Sequence, residues 1–564
     1  MHFLSLVSHP LVALLPPPVF SYLDPIRTLG KMATSTNGRV SDKSPKIAIV
    51  GAGFAGLRCA DVLIQHGHNV TIFEARNRVG GRVAQSTQFG HTVDLGPNWI
   101  HGSQENPILR IAKESGTELH AWDEQDAVFD FEGRPLDAAE AEEYGRLLWD
   151  EGLIAEAFEY SERHSESIDP KRSLFDFFEE TVQSLFTNMP ENVARRKRQT
   201  LLQMSQMWGA YVGSPVQRQS LKFFWLEKTI EGENPFVAGT YAKILEAVAR
   251  PARKDADVRL GCRVEKIVTG GGDGRSNGPV VETADGSAEE FDEVVVTVPL
   301  GYLKRNLAMF HPSLPPRLTS AIHDLGYGNL DKVYITFPSA FWNKPVPQSK
   351  TNVLAQDREH RTTNATATTP SLRHPKTHDQ TSTNTPFPGF TQWLPPSYTP
   401  NTNPHHWDQQ AMNLAALPHS SAHPTLLFYI YGPCAHHIAT LVTTTTSPST
   451  LKTKLLDFFK PYFSLLPNYN AADPICTPTG VLATAWTNDE LAGYGSYSNF
   501  QVGLERGNED IETIREGCPK RGIWFAGEHT APFDALGTAT GAYLSGERVA
   551  RRMVQRWERN AEVR

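Results

Sequence analysis

Two stretches in the first fifth of this 564-residue chain have residue types and spacing that do chemistry. Gly51-Ala52-Gly53-Phe54-Ala55-Gly56 is a GxGxxG loop. In such a loop the first glycine permits a tight turn, the second lets backbone approach a pyrophosphate, and the third lets a helix pack on a strand. A helix opening there turns unpaired N–H groups and a positive dipole end toward the phosphates. Glu74 follows at the spacing of a ribose-binding acid, where a carboxylate accepts hydrogen bonds from adenosine hydroxyls and repels a 2′-phosphate. An ordinary acidic strand end is the alternative for Glu74 taken alone. Ala75 and Arg76 lead into Gly80-Gly81-Arg82, where two glycines let the chain double back and deliver a cation to the phosphates. The second stretch, Gly96-Pro97-Asn98-Trp99 with His101, sets small residues before a tryptophan, which admits a flat ring close to backbone.

These residues need elements to hold them. Residues 46–50 (KIAIV) read as a buried parallel strand, 57–66 as a helix with one apolar face, and 70–73 as a second strand. That is a β-α-β unit, the context the glycine loop requires. Further along, 138–158 and 174–185 read as amphipathic helices. Residues 258–268 and 280–282 read as strands about a glycine-rich turn, and 292–298 as another buried strand. Residues 424–431 read as a strand, and 451–460 as a helix stopped by Pro461. Strand 522–526 and helix 540–553 close the fold. The fold class expected is α/β (α+β overall), with a Rossmann-type nucleotide domain built from discontinuous segments.

Composition bounds the rest. Hydrophobic residues make up 40% and charged residues 21%, as in an ordinary globular protein of more than one domain. A net charge of −8 argues against a nucleic-acid-coating surface. The five cysteines are scattered, which reads as a reduced, cytoplasmic protein rather than a disulfide framework. Cys434 with His436 and His437 reads as a helix start after a buried strand, not a metal site. Residues 1–45 lack a basic signal-peptide start, and the apolar run within them is broken by prolines. We expect the true start at Met32. Residues 345–386, rich in Thr, Asn, His and Pro, read as a surface insertion too polar to order itself.

Taken together, VGAGFAGL, FEARNRVGGR, DLGPNWIHG, DKVYITF, DELAGYGSYSNFQVG, FAGEHT and GTATGAYLSGE occur in family order over most of residues 46–555. With them the chain resembles the flavin-containing amine oxidases, and among these the polyamine oxidase branch of fungal type. The resemblance implies FAD as cofactor. It gives Val264 a backbone contact to the adenine and Glu528, after Gly527, a hydrogen bond to the ribityl or phosphate region. Thr538, Ala539 and Thr540 would open a helix toward the flavin pyrimidine, and Trp486 would pack on the isoalloxazine. Serine stands at 496 where the monoamine oxidase branch carries its flavin-linking cysteine, so the FAD is expected to be noncovalent. Tyr497 matches one wall of an aromatic cage. Thr538 stands where the second wall is commonly aromatic, which leaves that wall to another residue such as Phe533. Lys332 matches the lysine that promotes reaction with O2, and His101 a position near the substrate entrance.

The resemblance further implies a cofactor domain from 46–125, 236–304 and 477–560 and a substrate domain from 126–235 and 305–476. The expected reaction passes a hydride from the carbon beside an amine to flavin N5, hydrolyses the imine to an aldehyde and an amine, and reduces O2 to H2O2. The expected partners are a small cationic amine and O2, with no nucleic acid and no membrane, in a monomer or homodimer. An L-amino-acid oxidase, a histone-lysine demethylase-like protein and a specialised secondary-metabolism amine oxidase are the alternatives.

Overall fold

The structure, a computed structural model, describes residues 44–122, 126–149, 152–270, 278–343 and 387–562. The expected N-terminal extension, except residues 44 and 45, and the 345–386 insertion lie outside the described residues.

The apolar run Lys46–Val50 forms the central strand of a five-stranded, wholly parallel sheet. Its neighbours are Asn69–Glu74 on one side and Glu293–Val296 on the other, with Ile49 level with Ile72 and Val295. Asp257–Leu260 and Ile523–Phe525 take the two edges. Both faces are covered, which is why the strands read as continuous apolar runs rather than alternating ones. The helices Phe54–Gln65, Ala242–Asp255 and Ala539–Glu562 pack together over one face. Gly56 is a close-approach site: a Cβ there would lie 2.0 Å from the Gly51 carbonyl oxygen.

A second, six-stranded mixed sheet runs in the order Gly480–Ala483, Leu330–Thr336, Thr425–Tyr431, Gln409–Asn413, Phe390–Trp393, Asp126–Phe129. Side chains alternate along its second strand. Val333 and Ile335 enter a core with Trp393, Phe428 and Phe459. Tyr334 joins the opposite core, under the helices between 138 and 212. Lys332 shares the face of Tyr334, so a charged residue is aimed into the space between the sheet and those helices.

Four departures from the sequence reading have local causes. Residues 138–158 form two helices, Ala138–Leu148 and Leu153–His164, because Gly152 passes so close to Leu147 that a Cβ would lie 1.7 Å from its carbonyl oxygen. Residues 258–268 are two strands in different sheets, turned apart at Gly261, whose φ of +65° suits glycine. Val264 therefore begins the second strand. Pro461 does not stop its helix, which runs Pro448–Phe463, because Tyr462 and Phe463 are held in the core. Finally, the helix after the glycine loop begins at Phe54, so Gly56 lies inside it.

Candidate active site

A cavity of about 340 Å³ runs between the two sheets. Its near end is built by the glycine loop. Gly51 N–H donates to the Phe73 carbonyl at 2.8 Å and Gly80 N–H to the Ala52 carbonyl at 2.8 Å, so the two glycine turns are tied to each other. A Cβ on Gly81 would touch the Gly53 Cα at 3.4 Å, while one on Gly53 would meet nothing and project into open space. The cradle is thus shaped to leave room at Gly53, which fits a pyrophosphate. Glu74, buried, accepts from the Ala52 and Arg76 N–H groups, each at 2.8 Å. A carboxylate offers about four lone-pair sites, so it keeps acceptor capacity for ribose hydroxyls. Phe54, Ala55, Ala75, Arg76 and Val264 line the same end.

Two ion pairs cross this end. Arg76 Nη2 donates to both carboxylate oxygens of Asp489 at 2.8 and 2.9 Å, and Arg263 Nη2 to Glu490 at 2.7 Å. Both arginines line the cavity, as do Trp486 and Leu491 on either side of the two acids.

In the middle, Arg82 ties the glycine turn to the C-terminal segment through Nη1. Its Nη1 donates to Glu528 at 3.1 Å, to the Ser496 carbonyl at 2.5 Å and to the Tyr327 hydroxyl at 3.3 Å. Glu528 is spent in turn on Arg82 and on the Ser498 hydroxyl at 2.5 Å. Burial alone would push Glu528 up, but the Arg82 charge and the Ser498 hydrogen bond outweigh it and hold the acid below its ordinary value. The GGR segment therefore reaches the C-terminal segment itself. Gly527, Thr538 and Ala539 line this region. Thr538 caps the last helix, its Oγ1 accepting from Gly541 N–H at 2.9 Å, and leaves the first N–H groups of that helix as orphan donors.

Two cofactor residues expected from the sequence, Gly56 and Thr540, do not line the cavity. Gly56 is taken up by helix–strand packing, and the Thr540 hydroxyl turns to Asn106 at 3.2 Å. Phe533 does not supply the missing wall either: it packs under the Arg515 guanidinium, 4.3 Å from the ring centroid.

At the far end Lys332 Nζ donates to the Gly96 carbonyl and to Asn98 Oδ1. Burial lowers its pKa. Trp486 Nε1 donates to the Leu95 carbonyl at 2.8 Å, and the Trp486 backbone N–H donates to Asp331 at 2.7 Å, so this tryptophan is fixed at both ends. The Tyr497 hydroxyl donates to the Tyr211 carbonyl at 2.6 Å, which leaves its ring as a wall. His101 lines the cavity with Pro97 and Trp99, and burial pushes its imidazole down to about 4, so it is neutral at pH 7.

Sequence reading missed Trp208, Tyr211, Phe390 and Tyr429, which complete the aromatic lining, and Glu227, which opens onto the cavity. Gln219 donates to Glu227 Oε1 at 2.7 Å, and burial pushes the acid up to about 7. Its one sequence signal is a carboxylate closing the apolar run Phe223-Phe224-Trp225-Leu226. All five cysteines are described and free, and only Cys262 lines the cavity, its N–H on the Glu74 carbonyl at 2.8 Å. Among the described residues no group of His, Cys, Asp or Glu could hold a metal, and no helix is long and apolar enough to cross a membrane.

The family model for flavin-containing amine oxidoreductases matches residues 54–554. The chain is 30% identical over 307 residues to a probable polyamine oxidase 4 of Arabidopsis thaliana, covering 53% of this chain and 59% of that protein. It is 29% identical over 322 residues to polyamine oxidase 2 of the same plant, covering 55% and 62%. It is 26% identical over 535 residues to a lysine-specific histone demethylase 1 homolog of Oryza sativa subsp. japonica, covering 92% of this chain and 53% of that one. The chain thus spans about three fifths of the polyamine oxidases it matches. With the glycine cradle and the family match in agreement, the chain belongs to the flavin-containing amine oxidoreductase family, and its cofactor is FAD.

Proposed function

We propose that the protein is an oxidase of small cationic amines, with a polyamine or N-acetylpolyamine as substrate. The observation that carries the reading is Glu227, a carboxylate opening onto an aromatic-walled cavity that also holds Lys332 and Tyr497. An amine reacts in its neutral form, so a carboxylate in such a cavity has no use at the reacting nitrogen. It suits a second, cationic nitrogen farther along the same substrate, held by charge and by the ring faces around it.

Bound FAD supplies the two-electron oxidation of the carbon beside the amine, with O2 as final acceptor and H2O2, an aldehyde and a shorter amine as products. Gly51, Gly53 and Glu74 would hold its ADP half, with Arg76 closing over it. Gly527, Ala539 and the Arg82–Glu528 pair would hold the flavin half. Ser496 in place of a cysteine supports noncovalent attachment. The residues around it orient the amine: Tyr497, Trp208 and Tyr211 exclude water and offer ring faces, and neutral His101 accepts or donates a hydrogen bond without repelling a cation. Lys332, held with two carbonyl-type acceptors, keeps N–H capacity toward the cavity. The division into a cofactor domain and a substrate domain goes with this reading, and the Gly480–Ala483 strand belongs with the substrate sheet.

Stopped-flow bleaching of the yellow holoprotein tests it. Spermine, N1-acetylspermine, tyramine, an L-amino acid and a peptide with dimethyl-lysine are mixed anaerobically with the enzyme. Fast bleaching by a polyamine and slow bleaching by the others is expected. Fast bleaching by the dimethyl-lysine peptide alone would move the reading to the demethylase relatives, whose similarity runs over 92% of the chain.

A further inference from the structure

A single side chain, Asn98, stands between Lys332 and four other groups, and hydrogen-bond arithmetic fixes its orientation. An indole N–H can only donate and a backbone carbonyl can only accept. Trp99 Nε1 donates to the Tyr429 hydroxyl at 3.2 Å. The Tyr429 hydroxyl, accepting there, donates its one hydrogen to Asn98 Oδ1 at 3.1 Å. On the other side the Tyr334 hydroxyl donates to the Asp94 carbonyl. Having spent its hydrogen, it can face the Asn98 side chain only as an acceptor, which suits the amide nitrogen. The amide is therefore oriented by the Tyr429 bond to its oxygen, with its nitrogen left for the Tyr334 side. The same oxygen is the acceptor for Lys332 Nζ, whose other acceptor is the Gly96 carbonyl. Strand register supports the arrangement, since Lys332 and Tyr429 are directly paired across adjacent strands and Tyr334 follows Lys332 on the same face.

We infer that Asn98 is a positioning residue for Lys332, its amide locked by Tyr429 and Tyr334 so that an oxygen, never an NH2, faces the lysine amine. A turned amide would set a donor against an ammonium and favour its neutral form; the locked one stabilises the ammonium. The charged and titratable groups around Lys332 are Asp94 on the short strand before Gly96, Asp331 beside it on its own strand, and the phenol of Tyr429. Asp94 and Asp331 favour the ammonium at longer range, while burial opposes it. With the Gly96 carbonyl, Asn98 thus provides a near contact through which the charge state of Lys332 is set. This rests on the reading that Lys332 acts toward the flavin.

The test uses full-length holoprotein with 13Cε-labelled lysine, the Lys332 resonance being identified by its absence in Lys332→Met. Its titration is followed from pH 5 to 11 in wild type, Asn98→Asp, Asn98→Leu and Tyr429→Phe. Asn98→Asp is expected to raise the midpoint by about one pH unit or more, since it sets a carboxylate on the amine. Asn98→Leu is expected to lower it, and Tyr429→Phe to lower it less, because the freed amide then samples the turned state. Midpoints that coincide with wild type in Asn98→Asp and Asn98→Leu would overturn the inference. Oxygen reoxidation of the dithionite-reduced flavin, measured over the same pH range, separates the two readings. If the NMR midpoints move and the reoxidation profile does not, Asn98 positions Lys332 but Lys332 has no part in flavin chemistry.

Discussion

The Arg82 guanidinium and the Glu528 carboxylate meet at 3.1 Å although 446 residues separate them in sequence. This contact joins the turn after Glu74 to the loop before the last helix, and so closes the cavity from both ends of the chain. Removing one partner of such a pair leaves a buried charge, which costs on the order of 3–5 kcal/mol. Glu528→Gln is expected to lose most of its FAD on gel filtration and to unfold at lower urea. The Glu528 carboxyl lies below its ordinary pKa. Its contribution is therefore present at neutral pH and lost as pH falls through the folded value. Acid titration of the holoprotein should release flavin at a higher pH in Arg82→Ala than in wild type.

Asp489 and Glu490 form a two-point clasp across the glycine-loop end of the cavity, each on a different cavity-lining arginine. The pairs are partly exposed, the side chains keeping 21% to 48% of their surface, and such pairs contribute about 0.2–1 kcal/mol each. The double variant Asp489→Asn/Glu490→Gln is expected to release FAD about two- to thirtyfold faster after dilution, read from the rise in free-flavin fluorescence. The difference should vanish near 1 M salt, where screening reaches only about 3 Å. A difference that survives high salt would mean that the acids act through packing instead.

The parts legible in the sequence are those where local rules and the global fold agree. KIAIV, the glycine loop and Glu74 are adjacent in sequence and make one site, so a short window held all the information. Lys332 was legible as a charged residue on an apolar strand. What escaped depends on partners far away. The hold of Arg82 on Glu528 could not be read, because nothing near Arg82 in sequence reveals Glu528. The side chains at the start of the last helix are also set from afar: the Thr540 hydroxyl turns to Asn106, 434 residues away, while Thr538 caps the helix. Glu227 carries no motif, and only the cavity wall gives it meaning.

Asp408 is a buried acid whose state follows from its neighbours. The Tyr431 hydroxyl lies 2.6 Å from Asp408 Oδ1 and 2.9 Å from the Gln206 carbonyl, and one hydrogen cannot serve both. If Tyr431 donates to the carbonyl, Asp408 must be the donor to Tyr431 and so carries the proton. Burial pushes it up to about 6, so the acid holds its proton below that pH and loses it above. A raised acid pKa means stability that is full below the unfolded value and lost as pH rises through the folded one. Asp408→Asn keeps a donor there and should be more stable than wild type above pH 6, by roughly 2–3 kcal/mol in urea unfolding. The gap should shrink toward pH 4, and a constant gap from pH 4 to 8 would exclude a titrating Asp408.

Glu227 makes the sharpest functional prediction because its charge and its location pull in opposite directions. Enclosure pushes its pKa up to about 7, so near neutrality half the molecules hold a neutral acid with little attraction for a cation. The ionised form dominates above that value, so kcat/KM for a polyamine should rise with pH through about 7. A hydrogen bond to a charged group is worth about 1.5–3 kcal/mol, so Glu227→Gln should raise KM for spermine by roughly ten- to a hundredfold. The same variant should change kcat/KM for tyramine little, since that substrate carries no second nitrogen. It should also lack the pH limb near 7, while the titration of the reacting amine persists at higher pH. Equal losses on spermine and tyramine would instead mark Glu227 as a structural support for the Tyr497 wall, whose ionisation it opposes.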